Sequence, residues 1–210
     1  MPQSSSVISA SALSDGTPSV REQNRQRIRS AIIRTARESF ASLGIGETTM
    51  DRIAEQAGVA RATVFKHFPT KNAIIASIVE QMDAGLLQQL ASHAQKTLPP
   101  AERIFGFFRE NGALLQSRRE VIRPLLPILE QAWNELPGET RMQHLCRGFV
   151  GLAAGPEQRE DAEALGEILL GTYLVIIHHW RLRDDYSVQD HLLNGARLIC
   201  RGLPEAQIPV

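Results

Sequence analysis

The sequence predicts an all-α chain, with a three-helix unit at the N-terminus and a larger helical body behind it. Three observations carry that reading. Apolar residues recur at i, i+3, i+4 and i+7 in one segment after another. No segment alternates apolar and polar residues over the length of a strand. Glycines and prolines, at Gly44 and Gly46, Pro99-Pro100, Pro137-Gly138 and Gly155-Pro156, fall where the periodic segments must stop. A chain of 210 residues, 43% of them hydrophobic, can bury one large core or two modest ones.

Residues 1–20 hold seven serines with Gly16 and Pro18 and no periodicity, which predicts a disordered arm. The arm has no Lys or Arg before Arg21, so it is poorly suited to reach into a minor groove. From about Arg25 to Leu43, the residues Ile28, Ile32, Ala36, Phe40 and Leu43 form a helical stripe that Gly44-Ile45-Gly46 ends. Met50, Ile53, Ala54 and Ala57 make the next stripe, about two turns long. Thr48 or Thr49 can cap it, and Gly58 can take the left-handed conformation that closes it. A second short helix follows at about residues 60–67, with Val59, Val64 and Phe68 turned back toward that stripe and Arg61, Ala62, Phe65 and Lys66 on the opposite side.

Pro69 breaks this helix and Thr70 can cap a long one running to about Ala94, with Lys71 in its first turn and Ile74, Ile75, Ile78, Val79 and Met82 on its buried side. Ile104, Phe107, Phe108, Leu114 and Leu115 predict a helix over Ala101–Ser117. The next, Glu120–Leu136, is bent by Pro124 and Pro127, and residues 137–160 hold a helix flanked by loops. Residues 160–182 carry Leu165, Ile168, Leu169, Leu174, Ile176, Ile177 and Trp180 and are apolar nearly all round in the middle turns. Residues 187–201 carry Val188, Leu192, Ala196 and Ile199, closed by Gly202 and Pro204. A terminal pair this apolar must be covered on more than one side, by a buried core of its own chain or by a second copy, and in the second case Leu169 and Leu192 are expected on the associating face.

Two short helices joined by a tight turn, with small, cationic and hydroxyl side chains on the outer face, suit a helix-turn-helix docked in a major groove. By spacing alone, an ordinary helical hairpin with a solvated outer face fits equally well. The charge distribution favours the first reading. The net charge is zero, yet Arg21–Lys71 holds ten basic residues against five acidic, while residues 72–210 hold thirteen against seventeen. Phosphates would be neutralised at the basic end.

Enzyme chemistry finds little support. There is no phosphate loop, dinucleotide fingerprint or nucleophile elbow. The adjacent His178 and His179 point in different directions on a helix, as do His144 and Cys146, so no metal or cofactor is expected. Cys146 and Cys200 are expected to be small buried residues. Residues 1–20 lack the pattern of a signal peptide, and the longest apolar run, Ile168–Ile177, is about half the length a membrane span needs. The expected location is the cytoplasm, with no membrane partner.

The order Thr49, Ile53-Ala54, Ala57-Gly58-Val59, Thr63-Val64-Phe65, His67-Phe68 and Lys71 resembles the DNA-binding domain of TetR-family transcriptional regulators, and with the preceding helix the resemblance covers roughly residues 25–80. Two positions depart from the family's pattern. Ala60 stands where a Ser or Thr commonly caps the recognition helix, and Phe65 where a Tyr often gives its hydroxyl to a phosphate. The resemblance implies a helix-turn-helix DNA-binding domain at 21–71 and a helical ligand-binding and dimerisation domain at 72–210. Backbone contacts to double-stranded operator DNA are expected from Thr49, His67 and Lys71. Groove contacts are expected from Arg61, Ala62, Thr63 and Lys66, with Phe65 reaching a thymine methyl or a sugar, or packing inward.

The resemblance further implies a homodimer through residues 160–203, joined as an intermolecular four-helix bundle, on a near-palindromic operator. It also implies a small-molecule pocket, for which Phe105, Phe108, Trp133, Met142, Tyr173 and His178 are the candidate lining residues. The function this suggests is a dimeric repressor released from DNA by a small apolar ligand. An activator or a structural DNA-binding protein without an inducer is the alternative, and an all-helical enzyme is a more distant one.

Overall fold

The computed structural model describes residues 19–129, 138–155 and 160–203, and the described residues contain helices and no strand. The helices are α1 (Val20–Glu47), α2 (Met50–Ala57), α3 (Arg61–His67), α4 (Lys71–Ala94), α5 (Pro100–Ser117), α6 (Arg119–Ile122), α7 (Gly138–Ala154), α8 (Ala162–Leu182) and α9 (Val188–Cys200). Nearly all of the arm expected at 1–20 lies outside the described residues. Ser19 and Val20 instead begin α1, where the Ser19 hydroxyl accepts from the Glu22 amide at 3.2 Å. The helix therefore starts about two turns before its apolar stripe does.

Gly44 interrupts α1 with φ +82° and ψ 164°, a conformation that a side chain would resist, so the last residues of α1 form a separate turn. Ile32, Ala36 and Phe40 point inward as their spacing predicts, while Leu43 at the end of the stripe is exposed. These residues join Ile53, Ala54, Val64, Phe68, Ile74 and Ile78 in one apolar core. A second core, in the body, is built from α4, α5, α7, α8 and α9. Within it Phe107, Phe108, Phe149 and Tyr173 pack ring against ring, with centroids 5.3–6.4 Å apart.

The predicted helix over 120–136 breaks up where its prolines fall. α6 is a single turn, Arg123–Leu125 is a 3-10 turn, and residues 126–129 are helical again; the rest lies outside the described residues. This stretch straddles the two cores. Leu125 and Ile128 belong to the first, Leu126 to the second, and Leu129 touches both.

Helices α7 and α8 cross closely at Gly166. A methyl group at Gly166 would sit 2.6–2.7 Å from the Val150 side chain and backbone, so only glycine admits this approach. Leu169 and Leu192, expected on an associating face, are fully buried within their own chain. The uncovered apolar residues are instead Ile168, Val175 and Leu182 on α8 and Leu198 on α9, all more than half exposed. The three on α8 are spaced by seven, which puts them on one stripe of the helix. Of the two cysteines, Cys200 is buried as expected, its thiol pushed up to about 11 by burial, whereas Cys146 is only half-buried.

Candidate nucleic-acid interface and the cavity behind it

The helix-turn-helix is built as its residues suggest. The Thr49 hydroxyl accepts from the Arg52 amide at 3.2 Å and caps α2. Gly58, at φ +66° and ψ 33°, ends it, with its own amide bonded to the Glu55 carbonyl at 3.1 Å and the Val59 amide to the Ala54 carbonyl at 3.0 Å. At the start of α3, Ala60 provides no side-chain cap, as its identity requires. Val64 and Phe68 anchor α3 in the core.

That anchoring turns Arg61, Ala62, Phe65 and Lys66 to solvent and leaves Thr63 and His67 half-buried at the edges of the same face. Thr49 is exposed beside them, and its hydroxyl proton is not used by the cap. Arg61 pairs with Asp51 at 2.9 Å, both side chains well solvated, and its guanidinium lies 5.4 Å from the Phe65 ring centroid. So exposed an ion pair is weak and leaves the arginine available. The His67 pKa is lowered, first by burial and then by the charges of Arg25, Arg29 and Lys66, so its imidazole is neutral at pH 7. It can offer a phosphate an N–H but no charge.

Lys71, expected at a phosphate, also has a role inside the protein. Its ammonium turns inward, donating to the carbonyls of Ile45 at 2.6 Å and Thr48 at 3.1 Å. The break at Gly44 frees carbonyls at the end of α1, and the lysine satisfies them. The first turn of α4 is thus tied to the loop that precedes α2, and two of the three N–H donors of this ammonium are committed within the protein.

Sequence reasoning missed Arg29. Its guanidinium covers the Phe68 ring at 4.3 Å, donates to the Ser77 hydroxyl at 2.7 Å and to the His67 carbonyl at 3.5 Å, and so binds α1, the end of α3 and α4 together. The signal was present in the spacing. Arg29 lies at i−3 and i−4 from Ile32 and Ile33, on the apolar stripe rather than opposite it.

Behind the interface, a cavity of about 680 Å³ opens between α1, α4, α5, α6, α7 and α8. Tyr173 and His178 line it as expected. Phe108 does not, because it is consumed by the aromatic cluster, and Phe105 packs against the same core. Met142 is exposed, and Trp133 lies outside the described residues. The apolar wall comes instead from leucines such as Leu86, Leu114, Leu125 and Leu126. Along one side the Tyr173 hydroxyl donates to Asn111 Oδ1 at 3.1 Å, and Asn111 Nδ2 donates to Gln89 Oε1 at 2.6 Å. Burial holds the Tyr173 phenol well above its usual pKa, so it remains a neutral donor.

Among the described residues no cluster of three His, Cys, Asp or Glu could hold a metal ion, and no helix is long and apolar enough to cross a membrane.

Comparison with known proteins agrees with this geometry. Residues 32–78 match the family described as bacterial regulatory proteins, tetR family. The transcriptional regulator MftR of Mycobacterium tuberculosis is 28% identical over 155 residues, spanning 70% of this chain and 76% of that protein. Among solved structures, SmeT of Stenotrophomonas maltophilia in complex with triclosan superposes with a TM-score of 0.70 at 17% identity, over 88% of this chain and 99% of that one. Thermus thermophilus FadR, a transcriptional repressor in complex with lauroyl-CoA, gives 0.58 at 23% identity, over 87% of this chain and 99% of that one. At such identities the two structures establish the fold alone.

Proposed function

We propose that this chain, which belongs to the TetR family of bacterial transcriptional regulators, represses transcription as a two-fold dimer and leaves its operator when a small molecule enters the cavity. The observation that carries the reading is that α4 serves both ends of the molecule. Its first turn is clamped by Lys71 to the loop before α2, directly after the recognition helix α3. Its residues 81–83, 85, 86, 88 and 89 wall the cavity. A ligand that displaces this wall must displace the base of α3.

On DNA, α3 enters the major groove with Arg61, Ala62, Thr63 and Lys66 toward the base edges and Phe65 toward a thymine methyl or a sugar. Thr49 and the neutral His67 hold the phosphates at its flanks. Two such helices in a two-fold dimer reach successive major grooves about 34–36 Å apart, so the operator is a near-palindrome. The dimer forms through 160–203, where Ile168, Val175, Leu182 and Leu198 are left uncovered. Release follows from linkage. The ligand favours the conformer whose two α3 helices no longer match the groove spacing, and shifting that balance from 1:99 to 99:1 takes about 5.5 kcal/mol of differential affinity.

The test pairs binding selection from random DNA with a ligand screen. Selected sites should be near-palindromes, and molecules that raise the melting temperature should weaken operator binding in proportion. Single half-sites would overturn the dimeric reading. Molecules that fill the cavity and leave operator affinity unchanged would overturn the inducer reading. Related structures with triclosan and lauroyl-CoA bound support a ligand-responsive body.

A further inference from the structure

One end of the cavity carries charge that no described residue neutralises. Arg37, on α1, and Arg118, directly after α5, both line it. Arg37 donates from Nη2 to Gln81 Oε1 at 3.2 Å, but its Nε is shielded from solvent and has no acceptor. Burial and the nearby charge of Arg118 pull the Arg37 pKa below its usual value, and no carboxylate among the described residues opposes them. Arg118 stands exposed at the rim.

The third guanidinium, Arg141, is accounted for by a two-bond pair with Asp83, the sole carboxylate among the described lining residues. A sequestered guanidinium donor without an acceptor, next to a second cation, is unfavourable unless an anion completes the site. The rest of the wall is chiefly aliphatic, with leucines from α4 to α7.

We propose that the cavity takes a small organic acid, an apolar body ending in a carboxylate, with the carboxylate held between Arg37 and Arg118. This rests on the reading of the cavity as the inducer site and names the class of inducer. A carboxylate accepts charge-assisted hydrogen bonds from guanidinium N–H groups, and two guanidiniums, Arg37 and Arg118, line this end of the cavity. The body fills the leucine-lined remainder, since about 680 Å³ lies within the range of sites that enclose drug-sized ligands. Arg37 sits on α1 beside Ile33, Ala36 and Phe40, which core the DNA-binding head. The anion therefore bridges the head to the body at Arg118, and its binding energy depends on how the two are placed. That dependence is the differential affinity a release mechanism requires.

The experiment measures calorimetric affinities for three probes of equal chain length, decanoate, decan-1-ol and decyltrimethylammonium, below their micelle concentrations. Each is measured on the full-length protein and on the Arg37→Gln and Arg118→Gln variants. The native protein should prefer decanoate over the alcohol by on the order of ten- to a hundredfold and bind the ammonium most weakly. Either variant should lose most of that preference while keeping its affinity for the alcohol, which also shows that the cavity is intact. Because Arg118 is exposed, its variant tests the site even if Arg37→Gln perturbs α1. Equal affinity for acid and alcohol, a preference unchanged in both variants, or no binding of any probe overturns the proposal. Operator binding in the presence of each probe is scored separately. An arginine-dependent decanoate site that leaves operator affinity unchanged would refute the inducer reading and leave the anion site standing.

Discussion

Replacing Ile168 by Asp should separate the proposed dimer without unfolding the chain. Ile168 is 55% exposed on the protomer, so slightly more than half of its side chain remains to be covered by a partner. Full burial of an isoleucine contributes about 1.5–3 kcal/mol, and half of that is about 1 kcal/mol. In an isologous interface every residue is counted twice, which gives about 2 kcal/mol for the lost apolar contact. The two carboxylates must also be desolvated without partners, at about 1–3 kcal/mol each. The total is at least about 4 kcal/mol, or on the order of a thousandfold in the dimer dissociation constant. Sedimentation velocity across a concentration series reads that constant directly, and operator binding should fall with it. The helical circular dichroism should persist. Leu169→Asp, one residue along and fully buried, should instead abolish folding. An Ile168→Asp protein that stays dimeric with its native dissociation constant would refute the assignment of this face.

Three further outcomes follow from the head. Arg61→Ala should cost on the order of 1–3 kcal/mol at one base pair and relax the preference there, with stability unchanged because its Asp51 pair is solvated; operator variants measured one position at a time check this. Lys71→Ala should lower thermal stability by about 1–3 kcal/mol, because two partly buried carbonyls lose a charged donor, and should leave the salt slope of DNA binding unchanged; a slope smaller by about one unit would return Lys71 to the phosphates. His67→Gln should flatten a pH dependence of stability. Because the folded pKa lies below the unfolded one, the unfolded chain takes up protons first, so native stability falls as pH drops below about 6.5 and levels off under the folded pKa. Urea melts at pH 7.5 and 5.5 should show that loss in the native protein and less of it in the variant.

The helix-turn-helix was legible because its signals are local. The caps at Thr49 and Thr70, the left-handed Gly58 and the inward Val64 and Phe68 each depend on a few neighbouring residues. The internal bonds of Lys71 were not legible because its acceptors lie 23 and 26 positions away, beside a helix interruption whose free carbonyls no spacing rule reveals. The cavity was harder still. Aromatic residues are the natural guess for a pocket wall, but here they satisfy one another across α5, α7 and α8, and the space is left to leucines and arginines. Which side of an all-round apolar helix stays uncovered depends on the approach of its neighbours. The Gly166 crossing, for example, decides how α7 lies against α8, and periodicity carries no information about that.

The stretch from Arg123 to Leu129 bears on how such proteins can be recombined. Leu125 and Ile128 complete the core around α1 and α4, so a fragment cut after α4 would be missing two of its own keystones. Grafting this head onto another body therefore calls for a junction beyond Leu129. The converse graft must replace these side chains along with the head they complete. By the logic of the packing, the reading unit is sewn from two distant lengths of chain, and evolution by simple exchange of N-terminal segments would have to carry the second length with it.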